Sequence, residues 1–84
     1  MRVLAARFSE RGGAAAALVT LERELHPPDI AVAPLAHPGE KPSGEALLAG
    51  LFSEADVPAA VELVERAGGE MVANLDERRI RPVA

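Results

Sequence analysis

His26 and His37 are the only imidazoles in the chain, and with Asp29 or Glu40 as companions they are the first place to look for a metal site. Their spacing argues against one. They bracket a segment that reads as an extended strand, and at about 3.3 Å per residue this separates the two rings by roughly 25 Å or more. The chain has no cysteine, which removes thiolate ligands, thiolate nucleophiles and disulfides together. No metal and no cofactor is expected.

Ser9-Glu10-Arg11-Gly12-Gly13 is the second segment with chemical content. It leads from a strand into a helix, where backbone N–H groups can cradle an anion, and Arg11 adds a fork suited to a carboxylate or phosphate. Ser9, Arg11, Gly12 and Gly13 are therefore the candidate contacts for a small-molecule ligand. The spacing matches neither nucleotide fingerprint. The competing reading is a helix start at which glycine permits close packing against a neighbouring strand or chain.

The carboxylates of Glu54, Asp56, Glu62 and Glu65 could supply an acid/base pair only if burial and a facing partner set their protonation. Glu62 and Glu65 instead flank an apolar stripe on its wet side, so a solvated face is expected. No Ser/His/Asp arrangement can be assembled. An enzyme is not expected.

The elements that position these residues follow one rhythm twice: strand, helix, strand over 2–35, and again over 46–75. Strand one, Arg2 to Phe8, alternates Leu4, Ala6 and Phe8 with Val3, Ala5 and Arg7, and the first set is the better core face. Ser9 is a hydroxyl N-cap candidate for a helix running to Leu25. Its stripe is Ala14, Leu18, Leu21 and Leu25, and His26-Pro27-Pro28 ends it.

Strand two, Asp29 to Leu35, sets Ile30 and Val32 against Ala31, Ala33 and Leu35. Strand three, Ala46 to Phe52, sets Leu48, Gly50 and Phe52 against Leu47, Ala49 and Leu51. Both strands are apolar on both faces, which predicts that both faces are covered. Between them Ala36 to Glu45 carries turn chemistry and reads as a long hairpin connection. Asp56 is the favoured N-cap of the second helix because it leaves Pro58 in the first turn. Val57, Ala60, Val61 and Val64 form that helix's buried stripe, and Gly68-Gly69 its left-handed end. Strand four, Glu70 to Leu75, is expected to turn Met71, Ala73 and Leu75 inward and Val72 outward, with Asn74 and Asp76 on the Val72 side.

This order is that of an α+β, ferredoxin-like βαββαβ sandwich, a four-stranded antiparallel sheet with both helices on one face. A single domain over 1–77 and a charged tail over 78–84, with Arg78, Arg79 and Arg81, account for the 84 residues. Of these 49% are hydrophobic but only 2% aromatic, so alanine-rich packing must hold a thin core. Small side chains bury little area at about 25 cal/mol per Å², and such a domain gains by burying its second face. A homo-oligomer, with a dimer favoured, is expected through Val3, Ala5, Ala31, Ala33, Leu35 and Val72.

A net charge of -4 without aromatic stacking platforms makes a poor nucleic-acid binder, and no nucleic-acid partner is expected. No apolar run approaches the ~20 residues of a membrane span. The apolar start Met1 to Ala6 is cut by Arg7 and is too short for a secretory h-region, so a cytoplasmic setting is expected.

Arg7-Phe8-Ser9-Glu10, Ala17-Leu18 with Leu21, Pro28-Asp29-Ile30-Ala31-Val32, Gly50-Leu51-Phe52, Ala60-Val61-Glu62-Leu63 and Ala67-Gly68-Gly69-Glu70 together resemble the bacterial general-stress, heat-induced protein family. That resemblance covers most of the chain. It implies a ferredoxin-like core and a stress-related accessory role, with no catalytic residues to carry over. In that family a glycine-zipper insertion often interrupts the core. Here the short stretch Ala36–Glu45 stands in its place, which removes the membrane-associating role the insertion implies.

Regulatory ACT-like domains are similar in element order and in pairing between chains, and they imply a small ligand near Ser9 to Gly13. Dimeric α+β barrel enzymes pack sheet face to sheet face around a pocket, which would need larger and more polar lining residues than these alanines. The reading favoured is a non-enzymatic accessory or interaction module, with a ligand-sensing regulatory domain as its alternative and a barrel enzyme third.

Overall fold

The computed structural model describes residues 1–35, 39 and 44–76. Strands β1 (Arg2–Phe8), β2 (Asp29–Pro34), β3 (Ala46–Phe52) and β4 (Glu70–Asp76) form one sheet, with helices α1 (Arg11–Leu25) and α2 (Val57–Arg66) inserted after β1 and β3. The expected connection between β2 and β3 and the arginine-rich end lie largely or wholly outside the described residues. The strand order is β2-β3-β1-β4 and every neighbouring pair is antiparallel. Helix α1 thus joins two strands separated by β3, and α2 joins two strands separated by β1.

The period-two pattern of β1 resolves as expected. Leu4, Ala6 and Phe8 are at most 2% exposed and share a core with Ala14, Ala17 and Leu21 of α1, Ala46, Leu48 and Phe52 of β3, and Ala60 and Val64 of α2. Leu18 and Leu25 pack against this cluster from α1, and Ile30 and Val32 from β2. Alanines on α1 allow the helix to lie close to the sheet, and the two phenylalanines fill the volume between the layers.

Glycine creates that volume. A methyl placed on Gly69 would sit 2.6 Å from the Phe8 ring and 2.7 Å from Val64, and one placed on Gly50 would sit 2.9 Å from the Phe52 ring and 3.1 Å from Ile30. Neither contact is sterically open, so each glycine marks where an aromatic ring seats against backbone.

The helix ends differ from expectation at one point. Ser9 does not cap α1; Glu10 occupies the N-cap position and makes no side-chain cap hydrogen bond. Asp56 occupies the N-cap position of α2, likewise without a side-chain cap hydrogen bond, with Pro58 in the first turn, after one 3₁₀ turn over Glu54–Asp56 that starts from Ser53. Helix α2 closes with both bonds of a Schellman motif: Gly69 N–H donates to the Val64 carbonyl at 2.9 Å and Gly68 N–H to the Glu65 carbonyl at 3.1 Å. Gly68, at φ 92°, supplies the left-handed turn.

Helix α1 closes on a side-chain-bearing residue instead. His26 adopts φ 48°, ψ 55° as the C-cap, its N–H donating to the Glu22 carbonyl at 3.1 Å, and Pro27 prevents the right-handed helix from continuing through it. Left-handed backbone is about 1 kcal/mol unfavourable for an L side chain. His26→Gly relieves this strain but adds freedom to the unfolded chain, so it is expected to stabilise the fold by about 0.5 kcal/mol or less, seen as a small rise in Tm. A lower Tm would mean that the imidazole contributes a contact exceeding this strain.

Candidate functional site

The side of the sheet opposite the helices carries the unabsorbed apolar surface. Directly paired residues on neighbouring strands point to the same side, so the register defines its rows. Asp29, Leu51, Val3 and Leu75 form one row across the sheet; Ala31, Ala49, Ala5 and Ala73 form the next. Ala33, Leu47, Arg7 and Glu70 form a third. Four alanines thus stand in line across the second row. A shallow depression of about 230 Å³ spans the first two rows, lined by Val3, Asp29, Ala31, Ala49, Gly50 and Leu51.

Strand β4 corrects the expected facing. The register shifts between Ala5 and Ala6, so that Ala6 pairs with Met71 while Ala5 pairs with Ala73, and Val72 is the extra residue of a β-bulge. Met71 stays with the core, but Ala73 and Leu75 are turned to the open face, and Asn74 to the side of Leu4. Asn74 there accepts from Arg2 Nε at 2.7 Å. Leu75, expected inward, is 48% exposed.

Of the residues expected at an interface, Val3 and Ala5 are half-buried and Ala31 and Ala33 exposed, all four on the open face. Val72 sits at the bulge of an edge strand, 53% exposed. Leu35 follows β2, its N–H donating to the Glu45 carbonyl. Leu47, Ala49, Leu51, Ala73 and Leu75 complete the surface. The first three are legible in the double apolar pattern of β3, and the last two only once the bulge is known.

Charge on this face comprises Asp29, beside Leu51 at the β2 edge, and a cluster at the opposite end. Arg7 lies 3.4 Å from the Glu45 carboxylate and 3.6 Å from that of Glu70, in pairs largely open to water. Such pairs stabilise by no more than about 1 kcal/mol, and they mark that end as solvated. Both sheet edges carry features that discourage strand addition: Pro34, with no N–H, in β2, and the bulge in β4.

The Ser9 to Gly13 segment forms a less convergent arrangement. Ser9, Arg11 and Gly12 are exposed, and Gly13 is half-buried close to Phe8 and the Ala67 carbonyl. Arg11 borders a depression of about 340 Å³ with Pro34, Leu35, Gly44 and Glu45, and Ser9, Gly12 and Gly13 are not among its lining. A ligand there would meet a carboxylate as well as the guanidinium. His26 is exposed, and His37 lies outside the described residues.

Among the described residues no ionisable side chain is fully buried and no three His, Asp or Glu side chains converge on a metal-sized site. No helix among them is long and apolar enough to cross a membrane. No protein-family model matches the chain, and no curated protein is significantly similar to it in sequence.

Proposed function

We propose that the chain is a ferredoxin-like domain acting as a non-enzymatic accessory or interaction module, whose working surface is the open face of its sheet and whose partner there is a second copy of itself. The observation that carries this reading is the run of apolar residues on that face, Leu51, Val3, Leu75, Leu47 and the alanine row, at positions where an isolated antiparallel sheet normally presents polar side chains to water. The blunted edges favour the face over edge-to-edge pairing. The accessory role itself rests on the resemblance to the heat-induced stress proteins.

Sedimentation equilibrium at tens of micromolar is expected to give twice the chain mass of 8.8 kDa. Ala5→Glu puts one carboxylate per copy at the centre of the face, where it is solvated in a monomer and desolvated in a dimer. It should weaken association at least 100-fold, about 2.7 kcal/mol, while leaving the circular dichroism spectrum unchanged. A wild-type chain that sediments as a folded monomer at that concentration would sink the reading.

A further inference from the structure

We infer that the second half of β4 is a register switch: residues 72–76 pair with β1 in either of two registers one residue apart, and the choice decides whether the open face carries Ala73 and Leu75 or Val72, Asn74 and Asp76. The inference concerns pairing within one chain and stands whether or not that face meets a second copy.

The residues of β4 and the pairing it adopts disagree. From Glu70 to Asp76 the strand alternates polar Glu70, Asn74 and Asp76 with apolar Met71, Ala73 and Leu75, broken only by Val72. A flat ladder continuing the Arg7–Glu70 and Ala6–Met71 pairs would set Val72 opposite Ala5, Ala73 opposite Leu4, Asn74 opposite Val3 and Leu75 opposite Arg2. Met71, Ala73 and Leu75 would then all lie on the helix side of the sheet, which is the side of Leu4 and Phe52. The bulge at Val72 reverses this from Ala73 onward, leaving Leu75 48% exposed on the open face and Asn74 beside Leu4. Such a conflict between local pattern and adopted pairing is the mark of a frustrated segment.

Arg2 favours the bulged register. It lies on the helix side, opposite Phe52, and donates from Nε to Asn74 Oδ1 at 2.7 Å and from Nη2 to the Asn74 carbonyl at 3.3 Å. In the flat register the Asn74 side chain leaves for the open face and the first of these bonds is lost. Each register thus satisfies what the other gives up: the Arg2–Asn74 pair in one, the cover of Ala73 and Leu75 beside Leu4 and Arg2 in the other.

Three features let the segment pass between them. Strand β4 lies at the sheet edge, so only its ladder to β1 has to re-form. None of residues 71–73 is glycine or has positive φ, so the bulge lacks the left-handed glycine that pins a G1 bulge. Met71 packs against the core and keeps Ala6 as its partner in both registers, which gives the slip a fixed start. A slip of one residue then turns every later side chain to the other face. A binder that gains from Leu75 on the open face would hold the bulged register by that difference in affinity.

Paired cysteines read each register, in a chain with no cysteine of its own. Val3 stands opposite Leu75 in the bulged register and opposite Asn74 in the flat one, and side chains that leave opposite faces of a strand pair cannot be bridged. V3C/L75C is expected to form an intramolecular disulfide under oxidised glutathione, and V3C/N74C to do so more slowly. Deleting Val72 removes the spare residue and with it the choice, so V3C/N74C should close about tenfold more slowly in that background, or not at all. Both chains of that comparison lack the Asn74 side chain, so its loss does not account for the difference. Equal rates with and without Val72, or no disulfide from V3C/N74C in either background, overturns the inference. Should the cysteine variants fold poorly, amide relaxation dispersion on the unaltered chain decides: exchange at residues 2–5 and 72–76 is expected, with the population of the second register raised about fivefold by Arg2→Leu. Flat dispersion profiles at those residues in both chains overturn the switch.

Discussion

Gly69→Ala is expected to destabilise the domain by about 3 kcal/mol, although it adds one methyl group at the end of a helix. The methyl would arrive 2.6 Å from the Phe8 ring and 2.7 Å from Val64. Neither neighbour can swing into solvent, since Phe8 is 2% and Val64 3% exposed. A methyl on Gly13 would meet the same ring at 3.6 Å, an ordinary contact, so the tight approach is on the Gly69 side. The strain is therefore taken up by displacing β1, α2 or both. Domains of this size have roughly 0.05–0.15 kcal/mol of stability per residue, so one methyl removes a large part of the total.

The denaturation midpoint measures the loss, and a double variant assigns its cause. Phe8→Leu removes the ring atoms that the methyl meets, so Gly69→Ala should be milder by at least 1 kcal/mol in the Phe8→Leu background than in wild type. Strictly additive effects, or a Gly69→Ala midpoint indistinguishable from wild type, would show that the ring is not held there.

That constraint shows where the sequence stops being readable. Gly68-Gly69 is legible as a helix end, because glycine after an apolar helix is the ordinary signal for a left-handed turn. Only Gly68 serves that purpose. Gly69 is fixed by a ring sixty-one positions earlier, and Gly50 by Phe52 and by Ile30 on the adjoining strand; no local pattern encodes either contact.

The same division runs through the open face. Alternation in β1, β2 and β3 makes one set of residues core and exposes the other, so Val3, Ala5, Ala31 and Leu51 follow from period alone. Strand β4 obeys the same period up to Met71 and then inverts. Its bulge is a product of pairing with β1, and no glycine or proline at Val72 announces it. One unpaired residue moves every later side chain to the other face, which is why Leu75 and Ala73 join the surface and Asn74 leaves it. The capping of α1 fails for a smaller reason: Ser9 is one residue too early for a helix that begins at Arg11.

Phe52→Ala is expected to be the most damaging substitution, at about 3–5 kcal/mol. Phe8 and Phe52 are the only aromatic residues in the chain, and Phe52 is 1% exposed at the end of a central strand. It is one of the four largest fully buried side chains, with Phe8, Leu21 and Leu48, and its ring closes on Gly50, where a methyl would lie 2.9 Å from it. A loss of this size brings the isolated chain close to its unfolding midpoint, which makes self-association measurable in a second way. Whatever binds only the folded state stabilises it by mass action, so an associating variant unfolds at a midpoint that rises with protein concentration. Phe52→Ala lies on the core side of β3 and leaves Leu51 and Ala49 on the open face in place. Its Tm should therefore increase across a 100-fold range of concentration, and Ala5→Glu in the same background should abolish that increase while the low-concentration Tm stays where it is. A Phe52→Ala Tm independent of concentration would separate the core from the face, and would remove the argument that this thin core relies on a second copy.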